Sequence, residues 1–183
     1  MSALRLSPEH AAWAELAATL VNTRPRATDP PEKLTGVAEL RALLAACPEP
    51  APAAGVRDVD RMRELRPALA EAFEATSPAA FARAVNPLLA RSPWQLTAGG
   101  ADDLTLGPVA RQGLAEWFGA RAARGLAELV IAYGIDRLHL CSADDCLCAV
   151  VDVSRNGTRR YCSRTCANRT NTRRHRSRGT EVD

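Results

Sequence analysis

Aromatic residues make up only 4% of the 183 positions, and Lys33 is the single lysine against 23 arginines. Few aromatics beside 35 alanines disfavour an all-β fold and favour helices, because alanine has the best helix propensity while aromatic and β-branched residues mark strands. No apolar run approaches the roughly 18–20 residues of a membrane span, so no membrane partner is expected. Pro8, Glu9, His10 and Glu15 interrupt what would have to be the apolar core of a signal peptide, which makes the cytosol the expected location. The glycines are too scattered for a phosphate loop or a dinucleotide fingerprint, and no serine sits in a nucleophile elbow. Asp58, Asp60, Glu64, Glu71 and Glu74 stand among arginines at helical spacing, the pattern of solvated i,i+4 pairs. No enzyme is expected from these features.

What is present points to a globular chain with one core, or one core and a small module. Hydrophobic residues are 46% and charged residues 25%, and this length needs no disulfides to hold a core. Charge is unevenly placed: residues 1–140 carry 15 basic and 16 acidic side chains, whereas residues 141–183 carry nine and five. Between 154 and 178 there are nine arginines and no acid, a pattern that suits a polyanionic partner. Cysteine follows the same division. Cys141, Cys146, Cys148, Cys162 and Cys166 lie at this end, and Cys47 stands alone. In a reducing compartment such a cluster reads as metal ligands. The chain is therefore divided into a helical body, 1–138, and a cysteine-rich basic module, 139–183.

In the body, Trp13, Leu16, Ala17, Leu20 and Val21 trace an amphipathic helix over about 9–23. A loop with Pro25, Pro30 and Pro31 follows, then a helix opened by Thr35 or Gly36 with Leu40, Leu43 and Leu44 inside. Val59, Met62, Leu65, Leu69, Ala72 and Phe73 keep helical spacing, with Pro67 expected to kink or divide that helix. Ser77-Pro78 starts the next, in which Pro87 is a second expected kink. Residues 94–97 and 104–106 alternate around Gly99-Gly100 as a hairpin, and a long helix beyond Pro108 ends at Gly134.

Cys141-x4-Cys146 and Cys162-x3-Cys166 form two pairs, the ligand pattern of one structural Zn²⁺ held by four thiolates. Between them, Ala149 to Val153 reads as a strand, Asn156-Gly157 as a tight turn and Thr158 to Tyr161 as the returning strand. Ser163 then caps a helix carrying Cys166. Knuckle, hairpin and helix make a treble-clef-like zinc finger, and the fold class expected is mainly α with this module appended. Cys146-x-Cys148 offers an alternative ligand, although Cys148 at the strand's start reads as a small packed residue. His139 and His175 are weaker substitutes, and Cys47 reads as a core residue.

The module resembles the CGNR zinc finger and the body resembles the ABATE domain of bacterial transcription regulators. The finger carries Asp152-x-Ser154-x-Asn156-Gly157, Arg159-Arg160-Tyr161-Cys162 and Cys166-Ala167-Asn168-Arg169; the body carries Leu16 to Arg24 with Val21-Asn22-Thr23. Ala167 stands at the namesake glycine, and three residues separate the last two cysteines where four are common. The resemblance implies zinc binding, DNA binding and a regulatory role.

The residues argue for nucleic acid separately. Past Ser163 the helix is almost wholly polar: Arg169, Arg173 and Arg176 share one stripe, and Arg164, Asn168, Asn171, His175 and Arg178 another. A helix polar all round projects into solvent or meets a partner, and arginine and asparagine suit phosphates and base edges. Arg164, Asn168, Arg169, Arg173, Arg174, Arg176 and Arg178 are the expected contacts to duplex DNA. A solvated basic tail remains the bland alternative, and an RNA-binding or protein-interaction module the rival functions. Asp152, Asn156 and Asn168 could also ligate or recognise, but Asp152 and Asn156 read as structural. Asn168 reads as either a tie between helix and knuckle or a contact to nucleic acid, and Asn22-Thr23 as a helix end or the edge of a small-ligand pocket. The body is expected to serve as a sensor of a small-molecule effector or as a dimerisation platform, since paired half-sites extend the reach of one short finger.

Overall fold

The computed structural model describes residues 6–24, 31–91, 94–98, 104–108 and 113–179, with side chains along the last helix to Arg173. Pro25, Pro30 and Gly99-Gly100 lie outside the described residues, as does the side chain of His175. Among the described residues the order is α1 (Pro8–Val21), α2 (Val37–Leu44), α3 (Val56–Glu74), α4 (Pro78–Ala90), β1 (Trp94–Ala98), β2 (Leu104–Pro108), α5 (Leu114–Tyr133), a 3-10 turn (Ile135–Arg137), β3 (Leu138–Leu140), β4 (Ala149–Val151) and α6 (Arg164–Gly179). The class is mainly α, as expected.

Local chemistry sets the helix ends. Ser7 Oγ accepts the His10 N–H at 3.1 Å and Ser77 Oγ the Ala80 N–H at 3.2 Å, each followed by proline at the first helical position. Pro67 does not divide α3, which runs unbroken past it. The proline deprives the Arg63 carbonyl of its usual N–H donor, and the Arg66 Nε donates to that oxygen at 3.3 Å instead. Pro87 likewise sits inside a continuous α4.

The core is built where α1, α3, α4 and α5 meet, with α1 lying closest along α5. Trp13 is 1% exposed and meets Trp117 and Phe118 edge-on, with centroids 5.3 and 5.6 Å apart. Gly125 permits this approach. A Cβ there would lie 2.7 Å from the His10 carbonyl oxygen, 2.7 Å from Trp13 Cβ and 2.8 Å from the Ala14 nitrogen. Helix propensity alone favours Gly125→Ala by about 1 kcal/mol, but overpacking against backbone costs about 3 kcal/mol. The substitution is expected to lower Tm by about 5 °C; an unchanged or raised Tm in a thermal melt would mean that the two helices are not in this contact.

β1 and β2 form the expected hairpin, with Leu96 opposite Leu106. β3 pairs antiparallel with β4 through Leu138↔Val151, His139↔Val150 and Leu140↔Ala149. Here the expectation is corrected. The partner of β4 precedes the first cysteine, and residues 158–161 form no strand. The reason is that side chains already occupy the outer edge of β4. Asn22 Nδ2 donates to the Ala149 carbonyl at 2.9 Å, Asn22 Oδ1 accepts the Ala149 N–H at 2.7 Å, and Arg159 Nη1 donates to the Val151 carbonyl at 3.2 Å.

Strand β4 is buried on both faces. Leu138, Ala149 and Val151 join the core of the body, while Val150 packs with Cys141, Ala143 and Cys166. The change of sequence character at 138 thus falls inside β3, and packing runs across it.

Candidate metal centre and basic helix

The loop between β3 and β4 forms the first half of the centre. Cys141 N–H donates to the Cys148 carbonyl at 2.8 Å and Cys146 N–H to the Ala143 carbonyl at 2.9 Å, a tight knuckle that presents Cys141 and Cys146. The second half opens α6, where Ser163 Oγ accepts the Cys166 N–H at 3.2 Å. Between the halves, Asp152 is 1% exposed and organises the connecting turn. Its Oδ1 accepts the Ser154 N–H and its Oδ2 the Arg159 N–H, both at 2.8 Å. Burial pushes this carboxyl up, but the bonds from Ser154 and Arg159 and the nearby Arg137 charge outweigh it and hold the group below the ordinary Asp range.

Gly157 takes φ +63° in the turn after Asn156, beside the Arg137 guanidinium. Arg159 also reaches the Tyr161 and Cys162 carbonyls at 3.4 and 3.3 Å, so it ties the end of β4 to the second ligand pair. Asp152 therefore holds structure, and Asn156 stands exposed in the turn.

The four sulfurs of Cys141, Cys146, Cys162 and Cys166 lie within 4.8 Å of one another. Cys146 and Cys166 each stand 3.6 Å from Cys162. A tetrahedron of Zn–S bonds near 2.3 Å has S···S edges of about 3.8 Å, so the donor set fits one closed, structural Zn²⁺. Cys148 is half-buried beside the centre but outside this set, and burial pushes its thiol up to about 11. His139 stays on β3 with Nε2 buried and unpartnered, apart from the four sulfurs. Cys47 packs against the core of the body.

The expected nucleic-acid residues lie on α6. Arg164 and Asn168 are exposed. Arg169 Nη2 meets Asp145 Oδ1 at 2.6 Å and Cys166 Sγ at 3.7 Å, and Arg173 Nη2 meets Asp145 Oδ2 at 3.4 Å. Arg174, Arg176 and Arg178 belong to the same helix, with side chains outside the described residues. Sequence reasoning missed Asp145, because nothing local marks a knuckle acid as the partner of arginines 24 and 28 residues on.

It also missed the role of Asn22. The residue does cap α1, donating its N–H to the Ala18 carbonyl at 2.9 Å, but its side chain clamps Ala149 across 127 residues of chain. Asn22→Ala leaves both groups of Ala149 without that partner and is expected to cost about 2 kcal/mol. Chemical denaturation reads the loss, and faster hydrogen exchange at the Ala149 amide assigns it to this edge.

Two family models match the chain. One, described as the CGNR zinc finger, covers residues 137–179. The other, ABATE, described as "Putative stress-induced transcription regulator", covers residues 14–133. No curated protein matches the sequence.

Proposed function

Because the chain belongs to the ABATE family and carries a CGNR zinc finger, we propose that it regulates transcription by binding duplex DNA. In this reading zinc fixes the start of α6, and Arg164, Asn168, Arg169, Arg173, Arg174, Arg176 and Arg178 meet phosphates or base edges. The body acts as the sensor of a small effector or joins two copies, in the bacterial cytosol and without catalysis. No helix of the described residues is long and apolar enough to cross a membrane.

The observation that carries the reading is the placement of the arginines. The four-thiol centre holds the first turn of a helix whose described arginines are all exposed and which has no acid along its length. Arginine in such a position contacts phosphate at little desolvation cost and reads guanine bidentately where geometry allows. A second point favours duplex DNA over single-stranded RNA. Tyr161, the one aromatic near the basic stretch, is half-buried against the sulfur cluster and makes a poor stacking platform.

Duplex binding by zinc-loaded protein, measured against salt with metal content on the same sample, tests the proposal. One zinc per chain and a log–log slope near −4 are expected if about four or five phosphates are neutralised. Zinc without duplex binding would discard the mechanism, and preference for RNA or an acidic protein would redirect it.

Asp145 makes a further prediction. Its pairs with Arg169 and Arg173 are exposed, with side-chain accessibility of 41% to 55%, so phosphate displaces them readily. Asp145→Asn removes a negative charge from the approaching face and is expected to tighten duplex binding about threefold at low salt. Fluorescence anisotropy at two salt concentrations checks this; weaker binding would mean that Asp145 aims the arginines and does not compete for them.

A further inference from the structure

The body contains a cavity of about 160 Å³ among α3, α4 and α5, remote in sequence from the zinc ligands. Leu65, Leu88 and Ala120 give it an apolar floor. Its rim carries charge of both signs, with Arg61 and Glu64 from α3, Arg91 beyond α4 and Glu116 in the first turn of α5.

Two features distinguish it from a packing gap. Glu116 Oε2 is buried and has no hydrogen-bond partner, a condition native folds rarely leave uncompensated. Beside it the wall is kept low by glycine. Gly119 lines the cavity, and a Cβ on it would stand 3.1 Å from Leu65 Cδ1; Gly113 lies outside the lining, where a Cβ would stand 2.6 Å from Glu116 Oε2 and 3.1 Å from Arg61 Nη1. Side chains there would press on the groups that shape the cavity.

A ligand of one sign meets repulsion from half of the rim. A ligand with both signs and a small apolar body finds an opposite charge for each of its own, because its anion turns to the guanidiniums, its cation to the carboxylates and its hydrocarbon to the floor. A cavity near 150 Å³ accepts a molecule of about benzene's size, which suits a short aliphatic group. We infer that this cavity binds a small α-amino acid. Its carboxylate faces Arg61 and Arg91, its ammonium meets the carboxylates of Glu64 and Glu116, and its side chain rests on Leu65 and Leu88.

The inference deepens the sensor role proposed above and rests on that reading for its consequence. α3 and α5, two walls of the cavity, also reach the base of the finger: α3 packs on β3, and α5 leads through the 3-10 turn into the strand that precedes Cys141. An amino acid that draws these helices together therefore acts on the element holding the first zinc ligand.

The test uses the full-length, zinc-loaded protein. L-valine and L-leucine at 10 mM are compared with isobutylamine and isobutyrate, which carry one charge each, by thermal unfolding and calorimetry. An amino acid binding near 0.1 mM is expected to raise Tm by about 5 °C, with one molecule per chain and a much smaller shift from either control. Glu116→Gln is expected to abolish the shift. Arg61→Ala, at an exposed position, is expected to weaken binding at least tenfold and serves if the first variant fails to fold. No binding of either amino acid, equal binding of isobutylamine, or binding untouched by both variants overturns the inference. Duplex binding is measured on the same samples. Its survival without amino-acid binding discards only this site, whereas its absence with amino-acid binding intact discards the DNA reading and keeps the site.

Discussion

Cys162→Ser/Cys166→Ser is expected to abolish zinc binding, weaken duplex binding at least a hundredfold and leave the helical body folded. Two thiols remain after the change, and they cannot close a tetrahedral site. Metal binding contributes about 10–16 kcal/mol in finger peptides. Here it has little else to help it, because the cluster around Cys141, Ala143, Val150 and Cys166 is small. The body does not share this dependence. Leu138, Ala149 and Val151 are anchored in its own core, and Asn22 still holds the edge of β4. Metal analysis should therefore read zero zinc while circular dichroism keeps most of its helical signal and the melt keeps a cooperative transition. Retained zinc would show that other residues complete the site. Full duplex binding without zinc would show that the arginines act as an unstructured basic tail.

Acid is expected to release the zinc steeply, with apparent affinity falling at least about a hundredfold for each pH unit between 8 and 6. Burial raises the Cys141 thiol, and burial with the neighbouring thiols of Cys166, Cys146 and Cys141 raises that of Cys162. Both groups are then protonated throughout this range as free thiols, so each gives up a full proton when metal enters. Protons and metal compete, and affinity drops as pH falls. Cys146 lies lower, because bonds from the Cys148 backbone and the adjacent thiols outweigh its burial. Its contribution to the slope fades as pH rises past its own value. Chelator competition at several pH values, corrected for the chelator's protonation, measures the slope. A value below one decade per unit would mean that the thiols are already thiolates before metal arrives.

The helices of the body are legible in the sequence because their signals are local. The stripe from Trp13 to Val21 becomes a buried face, and Ser77-Pro78 becomes a capped start, whereas the cap at Ser7-Pro8 emerges only in the folded chain. Pro67 reads as a kink or a break, and the helix runs on past it, since the neighbouring Arg66 side chain satisfies the carbonyl that the proline leaves open. The four zinc ligands are equally legible, as two close pairs whose thiols need only one cation to be brought together.

Local spacing by itself determined the helical class, the ligand set, and the concentration of arginine on one polar helix, because each of these is decided within a few residues of chain. Only the tertiary structure decided what β4 pairs with and what its arginine and asparagine neighbours do. The turn at Asn156-Gly157 suggests a strand returning over 158–161. In the folded chain Asn22 and Arg159 have taken the backbone groups that strand needs, and residues 138–140 supply the other edge. Asp145 found Arg169 and Arg173 in the same way, across a knuckle that zinc ligation closes. Such contacts carry no periodic signature. They form because burying both faces of one short strand brings distant polar groups to places where backbone atoms and charges require partners.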